Sequence, residues 1–208
     1  MIFETDNGRP LAILDASEIT ARRTAAVSGV ATRQLARPDA QRLAILGSGV
    51  QAGTHLAAML LVREITQVTV WSRTPDHAAE FARLQSELHG IDIQVREAVR
   101  EAVQDADIIC TTTASPEPVL LGEWLPAGVH INAVGSSVPT MRELDTEAVV
   151  RARLIVDRRE SVCAEGGEFL CAREEGAIDE DHIAAELGEV LLGTITGRES
   201  GEQITLFK

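Results

Sequence analysis

Strand-like and helix-like segments alternate along most of this 208-residue sequence, and one strand runs through a Gly-x-Gly-x-x-Ala turn straight into a helical pattern. These two observations predict an α/β protein with a doubly wound parallel sheet of the Rossmann type, since strands separated by helical segments build βαβ units. A third observation concerns the ends. Short strand signals with no neighbours in sequence open and close the chain, as fragments of a second domain would. The expected division is residues 1–35 as such a remnant, 36–192 as the Rossmann domain, and 193–208 as a segment returning to the second domain.

Taken in order, Asp6-Asn7-Gly8 between Ile2-Phe3 and Leu11-Ala12-Ile13-Leu14 signals a hairpin, because Asn-Gly suits the positive φ of a tight turn. Ser17 opens a long alanine-rich helix that runs to about Leu35 and stops before Arg37-Pro38. Residues 43–46 read as a buried strand and 50–62 as the helix behind it. Residues 68–71 are β-branched and aromatic, hence a second strand, and Pro75 suits the first turn of the next helix. Residues 91–95, 107–110, 128–134 and 154–157 continue the strands, with helices over 97–104 and 143–151. Beyond them, 163–175 and 182–192 read as helices, 193–201 as a glycine-containing turn region and 203–207 as a last strand.

A formal net charge of −13 argues against nucleic acid or an anionic membrane as a partner, because both call for a basic surface. Lys208 is the only lysine, so no internal lysine is available as a base or Schiff-base former. Cys110, Cys163 and Cys171 are odd in number and lack Cys-x-x-Cys spacing, which suits reduced thiols in a cytoplasm. The first residues lack the basic start and apolar run of a secretory leader, and the longest apolar run, 56–62, is too short to span a bilayer. Together these features predict a cytoplasmic protein. Nothing has zinc-ligand spacing, so no metal site is expected, and Glu165-Gly166-Gly167-Glu168 reads as a solvated helix start. His130, within a strand, reads as a structural histidine.

The glycine turn carries the chemistry. Gly47 permits the tight turn, Gly49 lets the backbone approach a pyrophosphate, and the small Ala52 lets the helix pack close to the strand. The helix start offers unpaired N–H groups and its positive dipole end to phosphates. At the end of the second strand, where a carboxylate would accept hydrogen bonds from a ribose 2′-OH, the chain has Trp71-Ser72-Arg73-Thr74. Arg73 offers a planar fork to a 2′-phosphate, so NADP(H) is expected in preference to NAD(H), with NAD(H) still admissible. Ligands in such folds sit outside the carboxyl ends of the strands, which places Thr112 and Thr113, next to Thr111, toward the cofactor. Gly135-Ser136-Ser137 leaves room there for a nicotinamide ring and a substrate.

Four ordered motifs, Ile19-Thr20-Ala21-Arg22-Arg23-Thr24-Ala25-Ala26, residues 46–52, residues 128–135 with Arg142-Glu143-Leu144-Asp145, and Ile204-Thr205-Leu206-Phe207, resemble the ornithine cyclodeaminase/mu-crystallin family. The resemblance covers essentially the whole chain. It implies a Rossmann domain with a second domain that binds substrate and forms a homodimer, and hydride exchange at a carbon bearing an amine or imine. By position it implies Arg23 near the cofactor phosphates, Val50 and Gln51 along the pyrophosphate, Ser72, Arg73 and Thr74 at the adenosine ribose, and Ile131, Asn132, Ala133 and Val134 under the nicotinamide. The 71–74 segment is similar to the NADPH-using crystallin branch.

Two departures from the family pattern bear on activity. Ser137 stands where cyclodeaminases and alanine dehydrogenases of the family carry an acid/base aspartate, and a serine hydroxyl is no comparable base without an activating partner. The family's substrate-binding arginine and lysine lie in an N-terminal segment that this sequence lacks, and the sequence stops before the small-residue turn and helix that normally follow Ile-Thr-Leu-Phe. The expected function is NADPH-dependent reduction of an amino-acid-derived ketimine or cyclic imine. The alternatives are ornithine cyclodeamination with internally recycled NAD, and a crystallin-like or truncated NADPH binder without catalysis.

Overall fold

The computed structural model describes residues 1–208. A hairpin of β1 (Ile2–Phe3) and β2 (Pro10–Ala12) precedes α1 (Ser17–Leu35). Then follow β3 (Arg42–Leu46), α2 (Val50–Val62), β4 (Gln67–Trp71), α3 (Pro75–His89), β5 (Ile93–Val95), α4 (Val99–Val103) and β6 (Ile108–Thr111). The second half adds β7 (His130–Ala133), α5 (Thr146–Arg151), β8 (Arg153–Val156), α6 (Arg159–Glu165) and α7 (Gly167–Glu174), then β9 (Ile183–Glu186), α8 (Leu187–Leu191) and β10 (Thr205–Phe207). Eight strands form one parallel sheet in the order β5-β4-β3-β6-β7-β10-β8-β9. The doubly wound parallel sheet read from the sequence is therefore present. No helix is long and apolar enough to cross a membrane.

The central strands are buried on both faces, which is why they read as continuous apolar runs rather than alternating ones. Along β3, Leu43 and Ile45 pack with Ala52, Leu56 and Met59 of α2 and with Phe81 of α3. Ala44 and Leu46, one residue out of phase, pack on the other face with Ile131, Val149 and Phe169. A third cluster joins Ala31 and Leu35 of α1 to Ile155, Leu187 and Phe207. Helix ends follow local chemistry. Gly90 takes φ +67° just past α3, and the Asp145 carboxylate accepts from Ala148 N at 2.9 Å to start α5.

Three elements differ from the sequence reading. Residues 182–192 are not one helix: Ile183–Glu186 pairs with β8 as the edge strand, and only Leu187–Leu191 is helical. Residues 163–175 split into α6 and α7 at Gly166, whose backbone leaves the helical region at φ −74° and ψ 94°, and Gly167 then meets the main chain of Met141 too closely for any larger residue. The last strand, read from the sequence as part of a segment returning to a second domain, instead pairs with β7 and β8 inside the main sheet, with Leu206 beside Ile131 and Leu154. The hairpin forms its own two-stranded sheet and leaves Ile2, Phe3, Leu11, Ile13 and Leu14 exposed.

Candidate cofactor and substrate site

The Gly47-Ser48-Gly49 turn lies at the carboxyl edge of the sheet, between β3 and α2. Gly47 has φ +121°, and a Cβ there would lie 2.7 Å from Thr112 Oγ1 and 2.8 Å from Thr112 O. Only glycine fits that space. Thr112 is held against it, donating from both N and Oγ1 to Leu46 O, at 2.8 and 3.0 Å. Gly49 is the opposite case: it caps α2 in an extended conformation, no side chain caps the helix, and nothing lies within 4 Å of where a Cβ would stand. The first N–H groups of α2, from Val50, Gln51 and Ala52, have no acceptor within the helix, and the dipole adds positive potential there. An open approach, uncapped N–H donors and a fully buried Ala52 fit a pyrophosphate. Ser48 and Ser72 hydroxyls meet at 3.0 Å, tying the turn to the end of β4, where Arg73 is exposed and Thr74 precedes α3.

Two hollows flank the turn. One, of about 550 Å³, lies between α2 and α3 and includes Ser48, Gly49 and Val50. The other, of about 610 Å³, brings together Arg23 from α1, Gln51 from α2, Thr113 after β6, and Ala133, Val134 and Ser137 at the end of β7. Ile131 and Asn132 do not reach it: Ile131 is fully buried in the core, and the Asn132 amide donates to Thr32 Oγ1 at 2.9 Å. Arg22 points elsewhere and pairs with Glu18. Beneath the cavity, buried His55 bridges Gln51 O at 2.7 Å and Ser28 Oγ at 3.0 Å, and burial lowers its pKa.

The cavity wall is braced by residues to which the sequence reading gave no role. Glu143 is fully buried and accepts from Thr111 Oγ1 (2.7 Å), Thr113 N (2.5 Å), Thr113 Oγ1 (2.7 Å) and Gly135 N (2.7 Å). Burial pushes its carboxyl above the ordinary range even against these donors. Gly135 must be glycine because Glu143 occupies the space of its Cβ. Glu168, read from the sequence as part of a solvated helix start, is buried instead; it accepts from Ser136 Oγ and from Glu143 N at 3.0 Å. The only sequence signal for Glu143 is its place in the Arg142–Asp145 motif; Glu168 has none.

Elsewhere the titratable groups are closed off. His130 is fully buried at the amino end of β7, its Nδ1 3.0 Å from Thr205 Oγ1, and burial with the nearby Arg198 brings its pKa down to about 3. It is a neutral structural histidine, as read from the sequence. Burial raises the Cys110 thiol to about 12, and all three cysteines are free. No three His, Cys, Asp or Glu side chains are grouped to hold a metal ion.

The family model for the ornithine cyclodeaminase/mu-crystallin family matches residues 1–208. The chain belongs to that family. Among its relatives, Δ1-pyrroline-2-carboxylate reductase of Bacillus cereus is 42% identical over 209 residues, covering all of this chain and 64% of its own length. Ketimine reductase mu-crystallin of Mus musculus is 43% identical over 208 residues, covering all of this chain and 62% of its own length. The solved structure of Thermococcus litoralis Δ1-pyrroline-2-carboxylate reductase in complex with NADH and L-proline superposes with a TM-score of 0.95 at 44% identity, over 99% of this chain and 64% of that one. This family member thus spans a little under two thirds of the length of these relatives.

Proposed function

We propose that this chain is the dinucleotide-binding part of an NAD(P)H-dependent imine reductase acting on an amino-acid-derived ketimine or cyclic imine, with NADPH preferred. The observation that carries the reading is the condition of the carboxylates behind Ser137. Glu143 is taken up by four donors of the chain itself, Glu168 accepts from Ser136 and Glu143 N and is ion-paired with Lys208, and neither hydrogen-bonds Ser137, which leaves the Ser137 hydroxyl without an activating base. Deamination of an amino acid calls for such a base, whereas an imine that arrives protonated needs chiefly hydride and orientation. A reduced nicotinamide, when bound, supplies that hydride. In this reading the start of α2 binds the pyrophosphate and Arg23 adds positive charge near it. Ala133 and Val134 leave a flat, small-residue wall for the ring, and the exposed Arg73 guanidinium receives a 2′-phosphate.

We also assign the exposed apolar hairpin and the start of α1 to a second domain that completes the substrate side and buries Ile2, Phe3, Leu11, Ile13 and Leu14 in a homodimer. Light scattering checks this. A dimer that dissociates on Phe3→Asp with Leu11→Asp supports it, and a monomeric parent chain overturns it.

The reaction is tested by following NADPH consumption with Δ1-pyrroline-2-carboxylate, against NAD with ornithine. Turnover of the imine supports the reading, and turnover of ornithine alone replaces it with cyclodeamination. NADPH binding with neither turnover leaves the non-catalytic binder. Arg73→Asp is expected to weaken NADPH by about 1.5–3 kcal/mol, the range of a charged hydrogen bond, and to leave NADH nearly unchanged. Equal losses for the two cofactors would remove the phosphate assignment.

A further inference from the structure

The single lysine of the chain follows directly on β10, and the insertion of that strand between β7 and β8 brings Lys208 to the carboxyl edge of the sheet. The side chain is nine-tenths buried, and its ammonium lies 3.3 Å from Gly135 O, 3.0 Å from Ser136 O and 2.9 Å from Ser136 Oγ. Three acceptors meet three N–H donors. The charge partner is Glu168, with Oε2 at 2.8 Å from Nζ, an ion pair that is not aligned as a hydrogen bond. The other Glu168 oxygen takes the Ser136 hydroxyl and Glu143 N.

All these bonds converge on one turn. Ser136 is the only non-glycine residue with positive φ, at 25°. Such a conformation persists only where the surroundings over-determine it. On its other side, Gly135 N is held by Glu143. The turn so fixed carries Ser137 into the wall of the 610 Å³ cavity. A buried ion pair contributes little net stability compared with apolar residues of similar volume, whereas a buried polar network in which every Lys208 donor is engaged restricts a turn to one conformation. Lys208 also has no free donor left for a ligand.

We propose that Lys208, Glu168 and Ser136 form a clamp that sets the Gly135–Ser137 wall for the imine. Lys208 itself lines the cavity, but its ammonium donors are engaged by the turn, so it is then a positioning residue that acts through Ser136 rather than a ligand of the substrate. The assignment rests on the imine-reductase reading for its ligand, but the clamp has a readout of its own. With one lysine in the chain, [15Nζ]lysine labelling yields a single side-chain ammonium signal. The clamp predicts a signal protected from solvent exchange in the parent protein, with the protection lost in Ser136→Ala and Glu168→Gln. An unprotected signal in the parent overturns the clamp whether or not the protein turns over an imine.

The functional arm uses Lys208→Met, and Lys208→Met/Glu168→Gln in case the single variant leaves Glu168 unpaired and does not fold. NADPH affinity is expected within about threefold of the parent, because the glycine turn is untouched, while kcat/KM for Δ1-pyrroline-2-carboxylate and L-proline affinity in the dinucleotide complex fall about tenfold or more. Lys208→Arg should recover part of that loss. A lower melting temperature with unchanged imine kinetics and L-proline affinity, or equal losses for NADPH and imine, overturns the positioning role. If the parent protein binds no L-proline and reduces no imine, the functional reading fails while the exchange experiment still decides the clamp.

Discussion

The two edges of the sheet hold buried charge in opposite ways. At the amino edge, Asp107 just before β6 accepts from Gln41 N and Arg42 N at 3.0 Å, and pairs with Arg37 at 2.5 Å and Arg42 at 3.0 Å. Burial alone would raise its carboxyl, yet Arg42 and the backbone donors hold it below the usual value. Arg198 is similarly engaged, by Leu35 O at 2.5 Å and Thr205 Oγ1 at 2.9 Å. At the carboxyl edge the buried carboxylates are held mainly by hydroxyls, backbone N–H groups and the Lys208 ion pair, while the arginines Arg23 and Arg73 stand exposed and without an ion pair. One edge is closed on itself. The other leaves cations and helix N–H groups for an anionic ligand, which parallel strands make possible by delivering every following loop to the same side.

Substitutions at each edge can break that contrast. The largest effect is expected from Gly47→Ala, where a positive φ and contact with Thr112 together cost about 3 kcal/mol and abolish NADPH binding; denaturant unfolding and fluorescence titration check it. Next comes acid. His130 has a folded pKa lowered to about 3 from 6.5, so the unfolded state binds the extra proton and stability falls as pH drops through that window, by about 2 kcal/mol between pH 7 and 5. His130→Gln should flatten this part of the pH–stability curve. Asp107→Asn removes the charge partner of two partly exposed arginines and is expected to cost about 1–2 kcal/mol of stability with no change in NADPH affinity. Gly49→Ala is the reverse: stability within about 0.5 kcal/mol, but NADPH weakened about tenfold, because the methyl enters the open space to which the proposed function assigns the pyrophosphate. If Asp107→Asn weakens the cofactor as much as Gly49→Ala, the division between a structural edge and a binding edge fails.

The glycine turn was legible because its determinants are local. Gly47, Gly49 and Ala52 lie within six positions, and each is required by the backbone or helix at its own place. The alternation of strands and helices was legible for the same reason. Residues 182–192 were not, since Ala184, Ala185 and Glu186 are good helix formers and only pairing with β8 makes a strand of their stretch. Thr112 and Thr113 fell where expected in the loop after β6, yet their hydroxyls turn inward, to Leu46 O and Glu143. Facing direction at that point depends on a carboxylate some thirty residues away.

By itself the sequence determined the sheet class, the glycine turn between β3 and α2, the place of Arg73 beside it and the family. Each is set by residues adjacent in the chain or by a repeating apolar period. Tertiary structure alone decided that β10 enters the middle of the sheet and that Ser136, Glu143, Glu168 and Lys208 meet at the wall of the 610 Å³ cavity. The physical reason is that a buried carboxylate is tolerable only where donors converge on it. In this protein those donors come from segments spread between positions 111 and 208, a convergence that no spacing along the chain encodes.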